Sequence, residues 1–356
     1  MGLILAGEAL GMLLGDVPAG VLVWRLSLKG AMLLGLGCIG LSTAALFWAG
    51  SVPEAVVYRL ITGFGWSLYS VSRHTYIAGT VRAGIRGRAI VLLGGILRIG
   101  RFAGPVIGGM IAAKFGLRAP FLLFAGACCL ALLAIALFVP TTGVAPRRGS
   151  GASPSPGGHL LSTLRSQYGV LTSAGAGQLF AQMIRAGRGI IIPLYAADVI
   201  GLDVEAIGLI VSLASAVDMT LFYPAGWIMD RLGCKYAIVP SFLIQAIGMS
   251  LLPLTGSFVS LLVVATLIGL GNGLGSGSMM TLGADLAPQA SRGEFLGVWR
   301  WIGDAGATAG PLIVGGVADL VVLPTAAWVM GGAGLIAAMI FILLVPETLK
   351  RHSTTI

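Results

Sequence analysis

The chain has 356 residues, of which 57% are hydrophobic and only 10% are charged, and its mean hydropathy is +0.97. A soluble domain is typically about half apolar and about a quarter charged, so this composition excludes an ordinary soluble protein. The formal net charge of +9 comes mostly from basic residues between apolar segments, which is typical of membrane topology rather than nucleic-acid binding. We therefore expect an all-α, polytopic membrane protein that lies in the lipid bilayer and does not bind nucleic acid.

Eleven apolar segments follow one another along the chain, most of them long enough to cross a bilayer as a helix. They occupy residues 2–22, 30–50, 53–80, 87–113, 118–140, 170–197, 205–228, 236–256, 258–286, 293–318 and 325–346. A Pro-, Gly- and Ser-rich stretch between the fifth and sixth segments is typical of a flexible linker. The expected organisation is an N-terminal bundle over 1–140, a linker over 141–167, a C-terminal bundle over 168–347 and a tail over 348–356.

The second half of the chain repeats the first at a constant offset of 206 residues. Gly20 and Gly226, the first residues of one repeated motif, give this offset as 226 − 20 = 206. Pro18-Ala19-Gly20 matches Pro224-Ala225-Gly226, and Gly104-Pro105 matches Gly310-Pro311. Subtracting the offset from segment 170–197 gives a position before Met1. The repeat unit therefore has six segments, and we expect the first of the twelve to be absent here.

The distribution of Lys and Arg predicts the orientation in the membrane. Of the 22 basic residues, thirteen lie on one side and only Lys114 and Arg118 on the other. Because cytoplasmic loops carry the excess of basic residues, the linker and the C-terminus are expected in the cytoplasm, with the protein in the cell membrane.

Three motifs stand at corresponding places in the repeat. A loop reads Gly226-x-x-x-Asp230-Arg231-x-Gly233-x-Lys235, and its first-half copy keeps Gly20 and Arg25 but has Trp24 and Ser27 where Asp and Gly are expected. A second motif is Arg59-x-x-x-Gly63-x-Gly65. A third runs from Gly100 through Gly104-Pro105 to Gly109.

These motifs and the repeat resemble the major facilitator superfamily, and the third motif resembles that of its drug:proton antiporter branch. The resemblance implies two pseudo-symmetric helical bundles that alternate the access of a small-molecule substrate between the two sides. It also assigns conformational roles to the motif residues, which are Gly20, Arg25, Arg59, Gly63, Gly104, Pro105, Gly226, Asp230, Arg231, Gly233, Lys235, Gly310 and Pro311. Asp230 is expected to contact the start of the eleventh span of the fold, near Glu294.

Charged residues inside the apolar segments are the candidate substrate or proton pathway, because a charge in hydrocarbon costs several kcal/mol unless it faces a partner or water. The candidates are Glu8, Asp16, Arg98, Arg101, Arg185, Arg188, Asp218, Arg300 and Asp304. Matched depths predict that Arg98 or Arg101 approaches Asp218 and that Arg300 approaches Asp16. Two readings remain open: inert structural ion pairs, or groups that bind substrate and carry protons.

Arg185 and Arg188 are three residues apart and therefore share one helix face. This face is expected either to attract an anionic group of a substrate or to pair with Asp304 or a backbone carbonyl. A further acid, Asp285, lies near the end of its segment.

Motifs of other protein classes are missing from the sequence. It has no nucleotide-binding G-x-x-x-x-G-K-[ST] run, no hydrolytic triad and no zinc-ligand spacing among its four cysteines. We therefore expect no enzyme activity, cofactor, metal or disulfide. The leading hypothesis is a monomeric, proton-driven exporter of small organic molecules; the alternatives are a proton-coupled importer of an organic anion and a truncated membrane protein that does not transport.

Overall fold

The computed structural model describes residues 2–80, 83–140, 167–288 and 292–347, and these residues form helices and connecting turns without a β-strand. Nearly all of the predicted linker and the whole tail after Glu347 lie outside the described residues. The α-helices are α1 Gly2–Arg25, α2 Leu28–Ala45, α3 Val52–Thr80, α4 Ala83–Phe115, α5 Ala119–Phe138, α6 Tyr168–Tyr195, α7 Val204–Thr220, α8 Phe222–Arg231, α9 Cys234–Leu251, α10 Phe258–Leu274, α11 Ser278–Leu286, α12 Arg292–Leu320 and α13 Leu323–Leu343. Helices occupy all eleven predicted segments, which confirms the predicted fold class.

The helices have the dimensions and the surface of membrane spans. Seven stretches within the described residues are long and apolar enough to cross a bilayer: Leu28–Ala45, Gly95–Phe115, Ala119–Phe138, Val204–Arg231, Cys234–Leu254, Phe258–Leu286 and Leu323–Leu343. Large apolar side chains are exposed along them, such as Leu130 and Leu137 on α5 and Leu343 on α13. A membrane supplies the apolar surroundings that such side chains require, and the protein is therefore an integral membrane protein.

The contacts divide the chain into two compact units. The first contains α1–α5 together with the short stretch Asp203–Gly208, and the second contains α6 and the remaining helices. In the first unit α3 packs between α1 and α2, and α2 also packs on α5. In the second unit α6 packs on α12 and α13, while α9 packs on α10 and α13.

Equivalent contacts inside the two units confirm the 206-residue repeat. Gly65 on α3 packs against α2, where a Cβ would lie 2.6 Å from the carbonyl oxygen of Gly35. At the equivalent place in the second unit, a Cβ on Gly271 would lie 2.9 Å from the carbonyl oxygen of Ser241. Gly63 likewise abuts the Glu8 carbonyl, just as Gly269 abuts that of Ala214. The motif glycines therefore allow close approach of helix backbones, as in other membrane helix pairs.

Two spans that the sequence predicts as single segments are each broken into two helices in the second unit. Residues 205–228 form α7 and α8, which are separated at Leu221. Residues 258–286 form α10 and α11, separated at Gly277, whose φ of +77° is the left-handed conformation that favours glycine. The described helices α1 and α3 of the first unit are continuous at the equivalent positions.

One helix face differs between the two units. On α12, Gly306 lies directly against the backbone of Leu179 on α6, and a Cβ on Gly310 would lie 2.6 Å from the carbonyl oxygen of Met183. Their equivalents on α4, Gly100 and Gly104, have no described atom within 4 Å of a Cβ position. The glycine face that packs on α6 in the second unit is therefore open in the first.

Candidate functional site

A carboxylate on α7 forms the centre of a polar cluster in the second unit. Asp218 accepts a hydrogen bond from the side-chain amide of Asn272 on α10, at 2.8 Å. Arg188 on α6 lies on the same carboxylate oxygen at 3.9 Å, and the two charged side chains are 22% and 13% exposed for Arg188 and Asp218 respectively. Asp218 is therefore a mostly buried carboxylate in contact with Asn272 and Arg188. Asp218 and Arg188 were predicted as candidates from the sequence, whereas Asn272 was not.

Arg185, one turn before Arg188, has a different environment. Its Nη2 donates to the carbonyl oxygen of Gly275 at 2.8 Å, and its guanidinium lies 5.0 Å from the ring centroid of Phe242. Gly275 follows the last residue of α10, where helix carbonyls have no partner further along the helix. A charged donor is well suited to this carbonyl, and the aromatic face adds a cation–π contact. The structure therefore contains a backbone-carbonyl contact for Arg185, and the expected attraction of a substrate anion stays a prediction.

The other candidate acid of the second unit, Asp304, lies on α12. Asp304 faces Arg300 one turn earlier on the same helix, with 3.6 Å between Nε and Oδ2. Both side chains are partly exposed, and such i, i+4 pairs stabilise a helix by only about 0.2–0.5 kcal/mol. Asp285 is exposed in the last turn of α11, where it lies 3.8 Å from the Sγ of Cys234.

Two carboxylates of the first unit project from α1 toward α3. Glu8 forms a 2.7 Å ion pair with Nη1 of Arg59, the first residue of the second motif. Asp16 accepts a hydrogen bond from the hydroxyl of Ser67, whose side chain is fully buried. Arg59 and Ser67 thus fix the two acids in place, and Ser67 is a partner that the sequence did not indicate.

The two arginines of α4 differ in burial. Arg98 is half-buried, whereas Arg101 is exposed and makes no hydrogen bond or ion pair with any described residue. The expected pairs of Arg98 or Arg101 with Asp218, and of Arg300 with Asp16, would join residues of different units. These pairs stay predictions.

The loop motif between α8 and α9 is organised around a residue far away in the sequence. Glu347 accepts hydrogen bonds from the backbone N–H groups of Cys234 at 3.2 Å and Lys235 at 3.1 Å, and so caps the N-terminus of α9. Gly233 has a φ of +112°, and a Cβ there would collide with the Glu347 carboxylate. Lys235 donates from Nζ to the carbonyl oxygen of Ile342 at 3.0 Å. The intact motif therefore joins the start of α9 to the end of α13.

The departures in the first-half motif have a local explanation. Ser27 itself caps α2, accepting a hydrogen bond from the backbone N–H of Gly30 at 3.0 Å. Lys29 donates to the carbonyl oxygen of Ala136 at 2.7 Å, which reproduces the Lys235–Ile342 bond at the 206-residue offset. Glu347 was not predicted as a functional residue. The sequence does contain a signal for it, because Glu347 directly follows Val345-Pro346, which repeats Val139-Pro140 at the 206-residue offset.

Asp230 and Arg231, the charged pair of the loop motif, both lie at the surface. Arg231 stacks on the ring of Trp227 at 5.0 Å. Asp230 forms no hydrogen bond or ion pair with a described residue, and the side chains of Arg292–Glu294 in the first turn of α12 are outside the description. The expected contact of Asp230 with this turn stays a prediction. In the first unit, Gly20 and Arg25 lie in the last turns of α1.

Within the described ranges, no group of three or more His, Cys, Asp and Glu side chains is arranged to ligate an ion. Cys38, Cys128, Cys129 and Cys234 are free thiols.

Helices that cross a membrane and carry partly buried charges are the features of a membrane transporter. The sequence profile of the Major Facilitator Superfamily matches residues 1–181 and again residues 174–356, so the whole chain is covered by two copies. The chain belongs to this superfamily. It is a secondary transporter of small molecules, and its relatives are transporters rather than enzymes.

Among similar proteins, an uncharacterized MFS-type transporter of Methanocaldococcus jannaschii is 25% identical over 90% of this chain and 82% of its own length. The multidrug resistance protein MdtH of Klebsiella pneumoniae is 26% identical over 70% of this chain, and the match spans 64% of MdtH.

Solved structures share the fold. A D-xylose-proton symporter has a TM-score of 0.75 at 20% identity, covering 98% of this chain and 88% of its own. The nucleoside transporter NupG has a TM-score of 0.78 at 14% identity, covering 97% and 90%.

Proposed function

We propose that the protein exports a small organic molecule in exchange for protons, by alternating access. The observation that carries this proposal is the Asp218 cluster. Asp218 is a mostly buried carboxylate inside a membrane span, where it accepts a hydrogen bond from Asn272 and lies 3.9 Å from Arg188, and we assign it as the group that carries the proton. Protonation would remove the attraction to Arg188 and let that side chain take another partner. Proton binding and rearrangement of the site are thereby coupled.

Export is supported by the Gly100-to-Gly109 motif and by the relatives. The motif is similar to that of the drug:proton antiporter branch, and MdtH carries the name of a multidrug resistance protein. The matched part covers 64% of MdtH, so the activity of that protein bears on this chain only as a proposal.

A second candidate is the proton-coupled import of an organic anion. Its support is Arg101, an exposed guanidinium without a described partner on an apolar helix. An arginine in such surroundings needs an anion or water, and a substrate carboxylate or phosphate would supply the charge. The direction of substrate movement relative to protons separates this candidate from export.

Gly100 and Gly104 form a glycine face on α4 against which no described residue packs. We propose that Gly100 and Gly104 pack against a twelfth helix that corresponds to α6, because Gly306 and Gly310 do so in the second unit. The DNA upstream of Met1 tests this: an in-frame apolar segment ending similarly to Pro193-Leu194-Tyr195 is expected. If the upstream DNA encodes no such segment, the result would favour the third hypothesis, a truncated membrane protein that does not transport.

The arrangement in the cell follows from the same proposal. Bundles over 1–140 and 168–347 would be joined by a cytoplasmic linker over 141–167, and the tail over 348–356 would also lie in the cytoplasm of a monomeric cell-membrane protein. Its basic loop residues, including Arg231 and Lys235, support this orientation. Labelling of single cysteines at residue 150 and in the loop near Lys114, from each side of intact cells, tests it.

Transport in proteoliposomes tests the exchange of substrate for protons. Vesicles with an acidic lumen are loaded with DNA, and ethidium is added outside as a fluorescent organic cation. Exchange predicts that ethidium enters faster with the gradient than after its collapse by nigericin, and that Asp218→Asn removes this difference. Proton-driven uptake of organic acids into vesicles with the opposite gradient, an alkaline lumen, without any effect on cations, would instead support the import of anions.

A further inference from the structure

The last turn of α10 packs closely on neighbouring helices at two of its sides in the second unit. Toward α7, a Cβ on Gly273 would lie 2.7 Å from the carbonyl oxygen of Asp218. Toward α6 and α9, a Cβ on Gly275 would lie 2.7 Å from Nη2 of Arg185 and would collide with Oγ of Ser241. Because glycine at both positions allows this close approach, the end of α10 has a fixed place among three neighbouring helices.

The same turn carries the amide that contacts the proposed proton site. Asn272 donates to the Asp218 carboxylate at 2.8 Å, and the carbonyl oxygen of Gly275 accepts from Arg185 at 2.8 Å. Gly275 still takes part in the helical hydrogen bonding, because its N–H donates to the carbonyl oxygen of Gly271 at 3.3 Å. The two contacts are therefore only about 4.5 Å apart along one helix axis, so a displacement of one displaces the other.

The arginines of α6 complete a closed set of contacts over three helices. Arg185 and Arg188 lie one turn apart on the same face of α6, and Arg188 lies 3.9 Å from the Asp218 carboxylate. The contacts run from Asp218 to Asn272, along α10 to Gly275, across to Arg185 and back through Arg188. We refer to these five residues as the contact ring. A change at one member is therefore transmitted to the others through covalent or hydrogen-bonded neighbours.

The break between α10 and α11 begins at the contact ring. The carbonyl oxygen of Gly275 also accepts a hydrogen bond from the hydroxyl of Ser278, the first residue of α11, at 2.6 Å. One carbonyl oxygen thus receives donors from α6 and α11, which its two lone pairs allow. At the 206-residue offset, Tyr69 stands in place of Gly275 within the continuous helix α3. The break and the arginine contact therefore occur together in the second unit.

We propose that Arg185 is a positioning residue for the proton site. It holds the carbonyl oxygen of Gly275, which sets the end of α10, and the end of α10 places the Asn272 amide on the Asp218 carboxylate. This inference rests on the proposed function, in which Asp218 carries the proton. Without the Arg185 contact, the last turn of α10 moves, Asn272 withdraws from Asp218, and the coupling of transport to the proton gradient weakens.

Two simpler roles for Arg185 have different consequences. A purely structural contact would change stability but would leave the surroundings of Asp218 unchanged in the folded protein. A direct effect of the guanidinium charge on Asp218 would not depend on Asn272. Gly275→Ala separates these roles, because its Cβ displaces the Arg185 guanidinium without altering any charged group. The φ of −84° at Gly275 is one that alanine adopts without strain.

Infrared spectroscopy of the full chain in proteoliposomes measures the surroundings of Asp218. Its carboxyl bands are obtained by subtracting the spectrum of Asp218→Asn, and Asn272→Leu gives their position without the amide donor. Gly275→Ala should move the bands toward the position found in Asn272→Leu. The matched control is Gly332→Ala on α13, where a Cβ meets no described atom and the bands should not move. Bands of Gly275→Ala at the wild-type position would overturn the proposal.

A double-mutant cycle separates positioning from the charge of Arg185. Arg185→Gln should move the Asp218 bands in the wild-type background but cause no further movement in Asn272→Leu, because the effect passes through Asn272. An equal movement in both backgrounds would show that the guanidinium acts on Asp218 by its charge, and the proposal would be wrong. This cycle decides the matter if Gly275→Ala fails to fold, and Gly275→Ala decides it if Arg185→Gln does.

Transport distinguishes a failure of this proposal from a failure of the proposed function. The rate of ethidium exchange that nigericin abolishes should fall about tenfold in Gly275→Ala, the factor that corresponds to one hydrogen bond to a charged group, and should be kept in Gly332→Ala. A wild-type rate in Gly275→Ala together with displaced bands would contradict the role of positioning. Absence of gradient-driven exchange in the wild type would contradict the proposed function, while the bands would still test whether Arg185 positions Asn272.

Discussion

Asn272 on α10 donates its side-chain amide to the carboxylate of Asp218 on α7 across 2.8 Å. The equivalent positions in the first unit, 206 residues earlier, are Trp66 and Met12, which cannot form this bond. The acid of the first unit that most resembles Asp218 is Asp16, four residues further along its helix, bonded to the hydroxyl of Ser67. The scaffold is therefore repeated while the polar site is not, as expected where the two halves have different roles.

Asp218→Asn should abolish proton-coupled transport while changing the free energy of unfolding by only about 1 kcal/mol, because the Asn272 hydrogen bond is kept and the ion pair with Arg188 is long. The amide remains a hydrogen-bond acceptor for Asn272 but cannot take up a proton. Transport in proteoliposomes and thermal unfolding in detergent measure the two effects. The matched control is Asp285→Asn, which lies outside the cluster and should retain transport. Full gradient-driven transport in Asp218→Asn would show that this carboxylate carries no proton.

Arg185→Lys should destabilise the protein, although its charge is preserved. Lysine cannot reproduce both the bond to the Gly275 carbonyl and the stacking on Phe242, and together these contacts are worth about 2–4 kcal/mol. Thermal unfolding of Arg185→Lys and Arg101→Lys provides the comparison, since Arg101 has no described partner. Equal unfolding midpoints for both variants and the wild type would mean that Arg185 does not stabilise the end of α10.

Gly63→Ala should destabilise the first unit, whereas Gly37→Ala should not. A Cβ on Gly63 collides with the carbonyl group of Glu8, and the resulting displacement of α1 from α3 costs about 1–3 kcal/mol. Gly37 on α2 has no described atom near its Cβ position, so alanine there should be neutral or stabilising by about 0.5–1 kcal/mol. The unfolding midpoint in one detergent is measured for both. A stable Gly63→Ala variant would refute close packing at the second motif.

Asp230→Asn should shift the conformational balance toward the inward-open state and lower turnover, with folding and substrate affinity preserved. The reason is the expected contact of Asp230 with the N-terminal turn of α12, where a carboxylate contributes about 0.3–2 kcal/mol. Labelling of single cysteines at the two mouths of the transport pathway measures the balance. The same labelling pattern as the wild type, together with unchanged transport, would reduce Asp230 to a topology marker.

The helical content, the repeat and the motif glycines could be predicted from the sequence because they depend on local composition and on a fixed offset. The two broken spans were predicted as continuous because hydropathy does not register local breaks such as those at Leu221 and Gly277. Side-chain partners were the least predictable feature. Asn272, Ser67 and the Gly275 carbonyl are polar but uncharged, so the pattern of charges within the spans does not indicate them. Glu347 contacts α9 although it is more than a hundred residues away along the chain, so local sequence does not predict the contact.

The central claim, that substrate movement is coupled to protons through Asp218, is tested most directly by a pH-sensitive dye inside proteoliposomes. Vesicles with an acidic lumen and no other gradient receive a panel of lipophilic cations outside, one at a time. The wild-type protein should let at least one cation release lumenal protons, and Asp218→Asn should not, although it binds the same compound. Proton release that is equal in wild-type and Asp218→Asn vesicles, or no release for any cation while preloaded organic anions leave the lumen together with protons, would contradict the account.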